Sequence, residues 1–119
     1  MVKLYTLNTM AHLPSEITTI IVQFVKNTKQ ILQQHIIAEY LFGSYATNTY
    51  TPLSDIDILI IVDTFTPDIR RKMSGLASDY ALEYDIYISP ILKTQDVWEK
   101  NKAHETLFYQ EVTQYGIPL

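Results

Sequence analysis

Two aspartates two positions apart, Asp55 and Asp57, stand at the head of an otherwise aliphatic run that continues to Val62. In a strand, side chains alternate between faces, so the two carboxylates point the same way, roughly 6–7 Å apart. Ile56, Ile58, Ile60 and Val62 then take the opposite face and can bury. Two like charges among aliphatic neighbours are costly to desolvate unless something positive sits between them. A divalent cation is the simplest compensator. Hard oxygen ligands select magnesium-like ions, which normally also take phosphate oxygens from a nucleotide.

Upstream, the pair Gly43-Ser44 supplies what such a site would lack, with ten residues between Ser44 and Asp55. Gly43 lets the backbone turn tightly at a strand end and admits a ligand close to the main chain. Ser44 can cap the following segment, whose amides suit a phosphate. Either motif alone is common: most Gly-Ser pairs are turns, and many Asp-x-Asp triplets are solvated strand ends. The ordered combination of strand, Gly-Ser, polar segment and Asp-x-Asp inside a second strand is far more specific.

The stretch GSYATNTYTPLSDIDILI resembles the signature of the DNA polymerase beta-like nucleotidyltransferase superfamily. The short chain is most similar to the minimal nucleotidyltransferases, the MNT antitoxin-type proteins, and the likeness extends from about Ser15 onward. The resemblance implies a nucleotidyltransferase fold without the additional helical domain by which larger relatives hold their acceptor. It also implies a third carboxylate on a later strand, for which EYDIYIS offers Asp85. Asp55, Asp57 and Asp85 would then form the catalytic and metal-binding set, with one or two Mg2+ ions clamping ATP. Gly43 and Ser44 would hold the phosphates, and Asp85 could accept the proton of an incoming hydroxyl. One departure stands out: where close relatives carry an Arg-Gly pair, this chain has Thr47-Asn48.

The same resemblance implies a partner, a HEPN-type ribonuclease toxin neutralised by AMP transfer to a tyrosine and by direct complex formation. Two other readings stay open: a catalytically inert antitoxin that only binds, and an enzyme acting on a small molecule. A degenerate scaffold keeping its aspartates as a capped strand end is the structural alternative. Ser44 reads as a phosphate contact rather than a covalent nucleophile, because no histidine or lysine lies nearby in sequence to activate it.

Composition bounds these readings independently. A chain of 119 residues with 47% hydrophobic and 18% charged side chains is that of one globular domain with one modest core. The net charge of −4 argues against direct nucleic-acid binding through a basic surface. Cysteine is absent, which excludes disulfides and thiolate metal sites. No membrane-length apolar run or signal pattern appears, so a cytoplasmic location is expected. His12, His35 and His104 are too scattered for a zinc site or a Ser-His-Asp arrangement.

The elements that would position the site follow from periodicity. Residues 1–14 show no clean period and either lie against the core or form a partner-facing arm. Ser15, as an N-cap, opens a long amphipathic helix carrying Ile17, Ile20, Ile21, Phe24, Val25, Thr28, Ile31 and Leu32 on one stripe. Ile36 to Phe42 reads as a buried strand whose single charge, Glu39, calls for an internal partner. Asp55 to Val62 is the central strand. Thr66, Pro67 and Asp68 start a second long helix, whose Arg70-Arg71-Lys72 cluster reads as a solvated face. Tyr84 to Ser89 is expected to be the third strand, with Asp85, Tyr87 and Ser89 on one face and Ser89-Pro90 as its end. Thr94 caps a short turn through Trp98, a core anchor, and a last helix from about His104 stops at Gly116. The fold class is therefore α/β, a small mixed sheet flanked by helices.

Overall fold

A computed structural model describes residues 9–119 of the chain. Four strands form one mixed sheet in the order β3-β2-β1-β4, and helices cover both of its faces. The elements are α1 (Ser15–Leu32), a 3-10 turn at Gln33–His35, β1 (Ile36–Phe42) and a one-turn helix α2 (Ser44–Thr47). They continue with β2 (Ile56–Val62), α3 (Pro67–Tyr84), β3 (Ile88–Thr94), α4 (Gln95–Ala103), α5 (Leu107–Tyr115) and β4 (Ile117–Pro118). β2 runs antiparallel to β1 and parallel to β3, and β4 pairs antiparallel with the other side of β1.

The expected stripe of α1 is the buried one: Ile20, Ile21, Phe24, Val25, Thr28 and Leu32 all point inward. Pro14, not Ser15, occupies the position before the helix, and no side chain caps it. Residues 1–8 of the expected arm lie outside the described residues. The described part lies against the core, with Met10 and Leu13 buried. α1 and α3 cover the face presented by Ile56, Ile58, Ile60 and Val62. Phe24 meets Tyr80 edge-on at 5.3 Å, and the Tyr80 hydroxyl donates to Asn27 Oδ1 at 2.7 Å. Those two contacts fix the crossing of the long helices. Thr66 accepts the Ile69 N–H at 3.1 Å with Pro67 in the first turn, as its residue types dictate.

The opposite face of the sheet is covered too. Leu59 and Ile61 bury with Phe42 and Val112 beneath α4 and α5, and Trp98 packs there on Phe108 and Tyr109. An unbroken apolar run is what a strand buried on both faces requires. Thr94 caps α4 through the Val97 N–H, while His104 ends that helix and Thr106 caps α5.

Buried Glu39 has the internal pairing expected of it. Thr28 Oγ1 donates to Oε1 at 2.7 Å, and Lys29 Nζ lies 3.1 Å from Oε2. In the basic cluster, Arg71 and Lys72 pair with Asp68 on the exposed helix surface.

β3 departs from the sequence expectation. Tyr84 still belongs to α3, and Asp85 closes that helix in the left-handed region (φ 54°), its N–H donating to Ala81 O. The strand begins at Ile88 and runs through Pro90 to Thr94. Proline breaks a central strand but not an edge one, and among the described residues β3 is an edge of the sheet, paired only with β2.

Candidate active site

β1 ends at Phe42, directly opposite Asp57 in the antiparallel ladder. Gly43 then takes φ 73° and ψ −156°, a combination that is essentially glycine's alone. A Cβ at this position would collide with Oδ2 of Asp57. The Asp57 carboxylate therefore lies against the main chain of the Gly43 turn, joining the two motifs that the sequence spaces so far apart. Gly43, not Ser44, holds the cap position; Ser44 is the first residue of α2, and no side chain caps it. The Ser44 hydroxyl has no hydrogen-bond partner among the described residues. The leading amides of a helix have no partner within it, which leaves the Gly43–Ser44 main chain able to meet an anion.

Asp55 sits one residue ahead of β2 and is exposed, whereas Asp57 is half-buried. Burial pushes the Asp57 carboxyl above its ordinary 3.8, and the charges of Asp55 and Glu111 push it further the same way. Glu111 belongs to α5, so a third acidic side chain reaches Asp57 through the field without being one of the expected set. A carboxylate crowded by two others, with Oδ2 against a bare glycine, is a site whose charge asks for a cation.

Across the other ladder, Asp57 pairs with Ser89. Asp85 lies four residues earlier, exposed, in the loop between α3 and β3; its Oδ1 accepts from the Tyr87 hydroxyl at 3.4 Å. Among the described residues, no three His, Cys, Asp or Glu side chains are grouped to hold one metal ion. Asp55 and Asp57 are thus brought together, and Asp85 does not join them in a three-carboxylate set. The donor set still fits a magnesium-like ion, which is commonly held by one or two carboxylates and completed by substrate phosphates and water.

Several residues escaped the sequence reading. Tyr45, buried just after Ser44, stacks on Tyr50 with ring centroids 4.3 Å apart and planes within 7°. Its phenol is raised above 10.0 by burial first, then by Tyr50 and Asp55. His12 donates through Nε2 to the Tyr45 carbonyl at 2.9 Å, so this histidine braces α2 from the N-terminal side. The two tyrosines flanking the polar segment were the available signal for such a brace. Lys93 and Asn101 share a cleft of about 400 Å³ with Asp57, Phe42, Ile91 and Phe108. In the Thr47-Asn48 pair, Asn48 adopts the left-handed conformation (φ 60°, ψ 34°) that a glycine would take freely.

Comparison with known proteins identifies the family. The nucleotidyltransferase domain family matches residues 21–118. A Methanocaldococcus jannaschii protein named "Putative protein adenylyltransferase" is 40% identical over 103 residues, covering 86% of this chain and 97% of its own. A solved toxin-antitoxin structure with AMP-PNP superposes with a TM-score of 0.54 at 24% identity, over 81% of this chain and 69% of the matched one. A toxin-antitoxin MntA-HpeT mutant superposes at 0.52, also 24% identical, over 80% and 68%. These two likenesses speak to the fold. The chain belongs to the nucleotidyltransferase domain family, and its relatives make it a nucleotidyltransferase.

Proposed function

We propose that the chain is the antitoxin of a toxin-antitoxin pair and a protein adenylyltransferase that moves AMP from ATP to a tyrosine of a HEPN-type ribonuclease toxin. The observation that carries the reading is the seating of Asp57 against Gly43, with Asp55 two residues away. It unites a tight glycine turn and a carboxylate pair at one end of the sheet. Asp55 and Asp57 would hold a divalent metal ion, which when bound neutralises phosphate charge in the transfer. The Gly43–Ser44 main chain would receive the phosphates, and the Ser44 hydroxyl would add a contact. Asp85, on the α3–β3 loop, is left to meet an acceptor rather than the metal. The names of the matched relatives support protein as acceptor class, and the toxin-antitoxin structure with AMP-PNP supports nucleotide and partner.

The test is co-incubation with the cognate toxin, ATP and magnesium, read by intact mass. AMP additions to the toxin are expected, and their loss in the double variant Asp55→Ala, Asp57→Ala, with complex formation retained. A second reading, binding without turnover, draws on the lack of a third grouped carboxylate among the described residues. Full neutralisation by the double variant, with no mass change under any condition, would establish that second reading instead.

A further inference from the structure

The loop between α3 and β3 brings a solvent-facing phenol to the carboxylate end of the sheet. Ile86 and Ile88 both turn toward the core that Ile56 and Ile58 share. Tyr87, between them, takes the opposite face, as Asp55 and Asp57 do on either side of Ile56. Register sets the two segments level. Ile56 pairs with Ile88 and Asp57 with Ser89, and the Ile56 N–H donates to Tyr87 O at 2.9 Å. Tyr87 and Asp55 thus stand side by side at the heads of neighbouring strands, whose backbones run about 4.8 Å apart.

Tyr87 differs from the other described tyrosines in access and in its partner. It is the most exposed of them, at 57%. Tyr45 is buried against Tyr50, Tyr80 donates its hydroxyl to Asn27, and the Tyr84 hydroxyl accepts from Gln23. Tyr115, nearly as exposed, has no carboxylate on its hydroxyl among the described residues. The Tyr87 hydroxyl donates to one, Asp85 Oδ1, at 3.4 Å. A phenol is a poor nucleophile at neutral pH until a base takes its proton, and here a base already lies on the hydroxyl.

Resting on the transferase reading, we propose that Tyr87 is a self-modification site, to which the chain transfers AMP from ATP. The phenolic oxygen forms a bond to the α-phosphorus as the bond from that phosphorus to the pyrophosphate oxygen breaks. Pyrophosphate leaves with the electron pair, and the phenolic proton passes to the Asp85 carboxylate and on to water. Because Tyr87 flanks its own Asp55, the reaction runs within one chain and needs no second copy.

The experiment incubates the native chain alone with ATP and magnesium, and reads intact mass followed by peptide mapping. AMP on Tyr87 is expected, at a rate per chain that does not change on dilution. Tyr87→Phe keeps the ring and should carry no AMP while binding ATP as the native chain does. A second readout needs no turnover. Nitration of Tyr87 by tetranitromethane should slow when a nonhydrolysable ATP analogue and magnesium are present, and that protection should vanish in the double variant Asp55→Ala, Asp57→Ala. AMP on a different residue, addition that survives Tyr87→Phe, a rate rising with chain concentration, or nitration indifferent to nucleotide would each overturn the assignment. Transfer to the cognate toxin with no addition to the chain itself removes this inference alone. Absence of transfer to either protein removes the transferase reading and the self-modification with it.

Discussion

Oδ2 of Asp57 occupies the space that a side chain at Gly43 would need. The two residues come from different strands, and the contact forces position 43 to lack a Cβ for two separate reasons. One is the collision. The other is the backbone, whose φ of 73° with ψ of −156° is strained for any other residue. Gly43→Ala is expected to cost about 1–3 kcal/mol of stability and to displace the Asp57 carboxylate. Urea unfolding alongside ATP calorimetry checks both: a variant of native stability with native nucleotide binding contradicts the seating.

Asp57 itself is a stability cost in the metal-free protein. Its carboxyl is raised above 3.8 in the folded state by burial, Asp55 and Glu111. A raised carboxyl means the folded chain binds the proton more tightly than the unfolded chain, so stability falls as pH climbs through and above the ordinary carboxylate range. Asp57→Asn should remove that fall and leave the metal-free protein at least as stable as the native chain at neutral pH. Magnesium-dependent nucleotide binding should be lost in the same variant. Melting curves across pH, with and without EDTA, provide the measurement; a variant less stable than native at neutral pH refutes the crowding argument.

Glu39 presents the opposite case, a buried carboxylate whose compensation is complete. Thr28 and Lys29 both reach it, and Lys29 remains about a third exposed (35%). Lys29→Met should destabilise by about 1–3 kcal/mol, because the carboxylate stays buried with one partner fewer. Adding Glu39→Gln to that variant should recover part of the loss. If the double variant is no better than the single one, the ion pair is not what Lys29 contributes.

Asp85 serves α3 as a left-handed terminator, φ 54°, a conformation glycine accepts more readily. Asp85→Gly is therefore expected to be neutral or stabilising by up to about 1 kcal/mol. Transfer to the partner separates the two roles considered for this side chain. Retained activity fits a helix terminator outside the metal set, whereas a loss of about a hundredfold or more would mark Asp85 as the proton acceptor.

These cases also show why some of the structure was readable beforehand and some was not. β1, β2 and α3 carry local signals, alternating or continuous apolar residues and the Thr66-Pro67 start, and they lie where those signals put them. The Gly43–Asp57 contact was implied only by motif order, since neither residue alone distinguishes a site from a turn. β3 was misplaced because Tyr84-to-Ser89 alternates like a strand and Pro90 looks like a stop. The helix of Ala81 and Tyr84 nevertheless continues to Asp85, and an edge strand tolerates Pro90. β4 is two residues whose only specification is the neighbour it pairs with, Tyr40 and Leu41. The field of Glu111 at Asp57 depends on how α5 docks, and no local pattern encodes that.

The substitution at Thr47-Asn48 separates into two testable parts. Asn48 already holds the left-handed geometry, φ 60° and ψ 34°, so the turn is kept without glycine. Asparagine is among the residues most tolerant of that conformation, and Asn48→Gly should change stability by less than about 1 kcal/mol. Thr47 is different, because its exposed hydroxyl reaches Gly43 O at 3.3 Å, Ser44 O at 3.5 Å and Thr49 Oγ1 at 2.9 Å, all local uncharged partners. Nothing there supplies the charge an arginine would bring to a triphosphate. Thr47→Arg should therefore tighten ATP binding several-fold, by roughly 1 kcal/mol for a partly exposed charge, with the gain shrinking as salt is raised. Calorimetry of the two single variants at low and high salt distinguishes the contributions. A gain from Asn48→Gly with none from Thr47→Arg would mean that loop flexibility, rather than the missing cation, limits nucleotide binding.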